Sequence, residues 1–216
     1  MKKVLVLGGS SDIGSAIVIA LALAKYEVVW TYCNTTRQEN PGKGIFCDLR
    51  DMEQVKNLLA GMKDIDLMVT AAMPFMPFDN LDFEGYLAIR PFLDAHVYAI
   101  TSAKTVMARG GRVINMLGQS VEHGFSGCAF NAGAFAFLHN LGKSINSKEG
   151  REGRLSVCDF LLGPVETRIW NGHPEEKADF LAKAGKFISP QEVAKTVLEY
   201  ARMQILPGEC ILNAYH

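Results

Sequence analysis

The stretch KKVLVLGGSSDIGSAIVIALALAKYEVVW, Lys2 to Trp30, holds one whole structural unit. It begins with a short run of branched apolar residues, which reads as a buried strand. A glycine-rich loop follows, and then thirteen residues from Gly14 to Tyr26 that read as a helix apolar on most of its sides. EVVW then returns to a strand pattern. Strand, tight loop, helix and strand in about thirty residues make a βαβ unit with a right-handed crossover. The loop has its own chemistry. Gly8 allows the tight turn, Ser10 and Ser11 offer hydroxyl and backbone N–H donors, and Gly14 lets the helix pack against the strand. A helix N-terminus carries about half a positive charge, which suits a pyrophosphate.

The same alternation continues along the chain. GKGIFCDL, DIDLMVTAA, GGRVINML, RLSVCDFLL and GECILN read as further strands. MEQVKNLLAGM reads as an amphipathic helix with Val55, Leu58 and Leu59 on one face. Long helices are expected over residues 91–108 and 132–146. SPQEVAKTVLEYAR opens a last helix with Ser189 as N-cap and Pro190 at the first helical position. Near-continuous apolar strands joined by helices predict an α/β fold, a single-domain doubly wound parallel sheet over residues 1–216, Rossmann-like, covered on both faces.

Composition excludes several functions. The chain has 216 residues, with Lys+Arg 22 against Asp+Glu 23 and a formal net charge of −1. Such a balance gives no footing for nucleic acid or an anionic membrane. The N-terminal apolar run, Val4 to Leu7, is too short for a signal peptide or a membrane span. Five cysteines, Cys33, Cys47, Cys128, Cys158 and Cys210, are widely spaced with no C-x-x-C. No metal site or disulfide framework is expected, and reduced thiols in a cytoplasmic protein are.

The loop resembles the first motif of the short-chain dehydrogenase/reductase (SDR) family, T-G-x-x-x-G-x-G, with Leu7, Gly8, Gly9, Ser10, Ser11, Asp12, Ile13 and Gly14 in those positions. Asp12 replaces the middle glycine; pointing outward it is tolerable, and pointing at the phosphates it repels them. The resemblance extends over almost the whole chain, though the region after Thr167 is short for the family. Asp48 and Leu49 match the pair that contacts the adenine. Thr70, Ala71, Ala72 and Met73 stand where the family has N-N-A-G, and LLGPVET matches P-G-x-V-x-T beside the nicotinamide, keeping Thr167. The resemblance implies cofactor contacts from Gly8, Ser10, Ser11, Ile13, Gly14, Asp48, Leu49 and Thr167. An NAD-preferring site usually has an acid at the end of the second strand. WTYCNTTR has none, and Asn34 and Arg37 suit a 2′-phosphate, so NADP(H) is expected ahead of NAD(H).

The family's chemistry needs a Tyr as proton donor, a Lys four residues on to lower its pKa, a Ser to orient the substrate oxygen and an Asn on the preceding long helix. Here those positions read Asn131, Phe135, Gly118 and His96. None of the six tyrosines has a Lys four residues on. Losing a positioned general acid costs on the order of 10²–10⁴ in rate, about 3–5 kcal/mol of barrier. His96 is the best stand-in, since its ordinary pKa suits proton transfer. Asn131 can hydrogen-bond a carbonyl but cannot give up a proton. Gln119, Ser120 and His123 follow the expected Ser, and His139 is expected to be structural or solvated. Trp170, Phe180 and Phe187 are expected to wall a substrate or to pack as core.

The leading expectation is a non-catalytic subunit of a hetero-oligomeric NAD(P)-dependent oxidoreductase acting on a carbonyl or hydroxyl group, with a 3-ketoacyl thioester as one candidate. The alternative is an atypical NADPH-dependent carbonyl or 3-ketoacyl reductase using His96. A third is an NADP(H)-sensing regulator. Family members usually pair through the two long helices, here 91–108 and 132–146, which predicts a homo- or hetero-oligomer with an SDR-type subunit.

Overall fold

The computed structural model describes residues 1–74, 82–124, 128–203 and 207–212. Seven strands form one sheet: β1 (Lys3–Leu7), β2 (Glu27–Tyr32), β3 (Lys43–Phe46), β4 (Ile65–Thr70), β5 (Met107–Gly118), β6 (Leu155–Leu162) and β7 (Glu209–Leu212). Their order is β3-β2-β1-β4-β5-β6-β7, and every pairing is parallel. The chain reverses direction across the sheet between β1 and β4. That switch point opens a crevice at the C-terminal strand ends, where doubly wound sheets bind ligands.

Helices cover both faces. Helices α1 (Asp12–Leu23) and α7 (Pro190–Arg202) pack against Val4, Val6, Leu67, Val69, Ile114 and Phe160. Helices α2 (Met52–Ala60), α3 (Phe83–Val106) and α5 (Ala129–Ile145) cover the face carrying Leu5, Leu7, Met68, Val113, Leu117 and Leu161. The single turn α4 (Ser120–His123) follows β5, and α6 (Pro174–Ala184) follows a 3₁₀ turn at Arg168–Gly172. The Ser189 cap is as expected and is completed by Glu192 into a reciprocal capping box.

Helix α3 corrects the expected 91–108. It begins at Phe83 behind an Asp82 N-cap, whose side chain accepts from the Gly85 N–H at 2.9 Å, and it runs through Pro91. Proline removes one helical donor. The deprived carbonyl belongs to Leu87, which is 39% exposed, so water can satisfy it. Helix α5 begins at Ala129 rather than Ala132 and ends one residue before the expected Asn146. On the helix expected to meet a partner, Ala132 and Ala134 are buried, while Gly133 faces open space.

A buried polar chain crosses the α5 face of the sheet. The Thr70 hydroxyl donates to Asn115 (3.1 Å), the Asn115 amide to Asp159 (2.7 Å), and Asp159 pairs with His139 Nδ1 at 2.9 Å. Burial pushes the Asp159 carboxyl up, and its bonds to Asn115 and His139 partly offset this. His139 is thus tied into the core, as expected of a structural histidine. Four of the five cysteines are buried and all five are free thiols. Among the described residues no helix is long and apolar enough to cross a membrane, and no group of His, Cys, Asp or Glu could hold a metal ion.

Candidate functional site

The glycine loop between β1 and α1 has a demanding backbone. Gly8 has φ +81°, and a Cβ there would lie 2.5 Å from the Ala72 Cβ. At Gly14 a Cβ would lie 2.1 Å from the Gly8 carbonyl oxygen. Ser11 caps α1 by accepting from the Gly14 N–H at 2.9 Å. The next N–H groups, of Asp12 and Ile13, have no acceptor among the described residues. These donors at a helix N-terminus fit the phosphates of a dinucleotide. Asn40, which the sequence did not single out, holds the loop's shape. Its amide donates to the Gly9 carbonyl at 2.8 Å, and its carbonyl accepts from the Ser15 hydroxyl at 2.6 Å. No local motif marks Asn40; only the folded loop shows its role.

Asp12 points away from the loop's open N–H groups. Its carboxylate accepts from Arg37 Nη2 at 2.5 Å, from Arg168 Nε at 2.9 Å and from the Arg168 N–H at 2.8 Å. The acid in place of the motif glycine is therefore neutralised by two guanidiniums, and it ties α1 to the segment after Thr167. Arg37 also donates to the Ser10 carbonyl at 3.2 Å, so this cation lies beside the loop. Asn34, on the exposed turn after β2, accepts from the Cys33 thiol at 3.4 Å. Asp48 follows β3 and pairs with Arg50 at 2.7 Å, which holds its carboxyl below the usual range; Leu49 is buried in the α2 and α3 face.

A cavity of about 270 Å³ opens beside Ile13 at the C-terminal ends of β4, β5 and β6. It brings together Ile13, Gly118, Gln119, Ser120, Asn131, Phe135, Thr167 and Trp170, all singled out in the sequence. Gly118 and Phe135 are matched in shape. A Cβ on Gly118 would meet the Phe135 ring at 3.1 and 3.3 Å, so a serine there would require the ring to give by a few tenths of an ångström. The Asn131 amide donates to the Pro74 carbonyl at 2.7 Å, bracing α5 against the segment after β4. Ser120 does reach the cavity, with its Oγ 3.4 Å from the position of a Cβ on Gly118. Trp170 lines the cavity, with its indole N–H on the Val165 carbonyl (2.9 Å) and its ring tilted at 37° against Phe187.

His96 is not among the residues that line the cavity. It is 2% exposed on α3, and its Nδ1–H donates to the Phe92 carbonyl at 2.7 Å, within its own helix. Burial pushes its pKa down. The expected proton donor is a neutral core histidine. Residues 75–78, the side chains of His123 and Phe180, and Tyr215 lie outside the described residues.

No family model and no curated protein matches this sequence. Solved structures do resemble it in fold. BdcA in complex with NADPH superposes with a TM-score of 0.85 at 22% identity, over 99% of this chain and 94% of that one. A short-chain dehydrogenase family protein from Francisella tularensis gives 0.85 at 18% identity, over 99% and 98%. A blue fluorescent protein from a metagenomic library, in complex with NADPH, gives 0.86 at 21% identity, over 99% and 96%. The fold is that of the SDR structures, a Rossmann-like parallel sheet flanked by helices.

Proposed function

We propose that this chain is an SDR-type protein that keeps a dinucleotide site, with NADP(H) ahead of NAD(H), and has given up the family's proton relay. Its role on this reading is that of the non-catalytic subunit in a hetero-oligomeric oxidoreductase acting on a carbonyl or hydroxyl substrate, such as a 3-ketoacyl thioester. One observation carries the reading: the Phe135 ring packs over Gly118, with 3.1 Å left for a Cβ. The positions of the tuning cation and the orienting hydroxyl are filled by a mutually fitted pair, which a single damaging substitution would not produce.

The loop residues fit the cofactor. The N–H groups of Asp12 and Ile13 would hold the phosphates, Thr167 the nicotinamide end, and Arg37 the 2′-phosphate in exchange for its pairing with the exposed Glu39. A bound nicotinamide dinucleotide supplies hydride. Among the described residues that line the cavity there is no carboxylate, histidine, tyrosine or lysine to exchange the accompanying proton. Ser120 and Asn131 can orient an oxygen, but neither is an acid near neutral pH. The reading in which His96 supplies the proton loses its footing, since that ring is enclosed within α3 and core.

Helices α3 and α5 are the proposed partner surface, with Phe83 68% and Phe137 52% exposed on them. The test is reconstitution with an SDR subunit from the same genome that retains Ser, Tyr and Lys. We expect a hetero-oligomer by mass measurement, in which NADPH turnover disappears when the partner's tyrosine is replaced. Failure of every such subunit to associate would overturn the subunit role.

A further inference from the structure

The cavity beside Ile13 is notable for its electrostatics. Its walls are apolar, with Met73, Met116, Leu117, Phe135, Leu162 and Ile169 supplying most of them. The polar lining comes from Gln119, Ser120, Cys128, Asn131 and Thr167. Among the described residues that line it there is no carboxylate and no cation. The charged residues nearest in sequence are already engaged elsewhere. Arg168 pairs with Asp12, and Glu166 pairs with Lys177.

The two redox forms of a nicotinamide differ in one respect that such a cavity reads. The oxidised ring carries a positive charge, and the reduced dihydro ring is neutral. Burying a cation among apolar side chains without a counter-charge is strongly unfavourable, while a neutral ring gains from the same surface. Attraction of the cation to the Phe135 or Trp170 ring opposes this only weakly, because an aromatic face returns less than the lost hydration. The adenosine, ribose and phosphate contacts are common to both forms and cancel.

We infer that this cavity selects the reduced cofactor, so that the chain binds NADPH in preference to NADP⁺ and its liganded fraction follows the redox state of the pool. The inference rests on the dinucleotide site proposed above. It gives a chain without a proton relay something to do with a nicotinamide: hold the reduced form, and report or present it.

Calorimetric titration of the intact protein with NADPH, NADP⁺ and adenosine 2′,5′-bisphosphate tests this. The last carries the shared end of the cofactor without the ring. The expected Kd for NADPH is at least about tenfold lower than for NADP⁺. Gln119→Glu keeps the size of the side chain and places a carboxylate on the cavity. It should narrow the ratio several-fold by tightening NADP⁺, which a merely structural change would not do. Equal affinities, a preference for NADP⁺, or a ratio unmoved by Gln119→Glu overturns the inference; if adenosine 2′,5′-bisphosphate still binds, the dinucleotide site stands. If none of the three ligands binds, both readings fall.

Discussion

At the scale of single residues, the site is explained by what occupies the room around Gly118. The sequence offsets alone placed Gly118, Asn131 and Phe135 at the family's Ser, Tyr and Lys positions. They could not show that the Phe135 ring and the bare Gly118 backbone fit one another, or that the Asn131 amide is tied to Pro74. Those facts depend on side-chain direction in the assembled core. Restoring the serine alone should therefore be costly. Gly118→Ser should destabilise the protein by about 1–3 kcal/mol through overpacking. The cost should fall in a Phe135→Leu background, and denaturant unfolding of the three variants measures both. A Gly118→Ser protein as stable as the parent would show that the ring gives way freely. Asp12 was ambiguous for the same reason. Its identity suggested either repulsion or indifference toward phosphate, and the choice was made by Arg37 and Arg168, the latter 156 residues away.

Among elements, legibility followed the strength of the local pattern. The strands and α7 were plain except at the start of β5, which begins at Met107 inside the helix expected to run to residue 108; apolar runs and a Ser-Pro-x-Glu cap each have one reading. The start of α3 was misplaced because proline marks a first helical turn more often than an interior one. Leu87, whose carbonyl loses that donor, is exposed, and exposure is not written in the sequence. The same helix misled about His96. Its position matched a site-facing residue of the family, yet its ring is enclosed by the core and bonded to Phe92. This has a consequence for stability. The folded pKa of His96 lies below its ordinary value of 6.5, so the fold holds the neutral form. Its contribution is present above about pH 6.5 and is lost as pH falls below it, because only the unfolded chain takes up the proton. Replacing His96 with Leu should flatten the fall in unfolding midpoint between about pH 7 and pH 5. NADPH affinity should stay unchanged. Parallel pH profiles in the two proteins would mean that the ring is charged when folded.

For the whole molecule, the fold was legible from alternation and chirality, since parallel strands joined by right-handed crossovers leave few arrangements. The function was less so. A Rossmann-like sheet fixes where a ligand sits, at the switch point between β1 and β4, but not what is done to it. The polar chain from Thr70 through Asn115 and Asp159 to His139 was invisible beforehand because its members come from three strands and a helix. On the function proposed above, the cofactor end of the site is kept and the proton-transfer end is lost. The direct test gives the purified chain NADPH together with a panel of small carbonyls and 3-ketoacyl thioesters, and follows the reduced nicotinamide by absorbance and fluorescence in the same cuvette. A saturable change in fluorescence on binding is expected, with no loss of absorbance above the protein-free rate. Sustained, substrate-dependent loss of absorbance by the chain alone would contradict it.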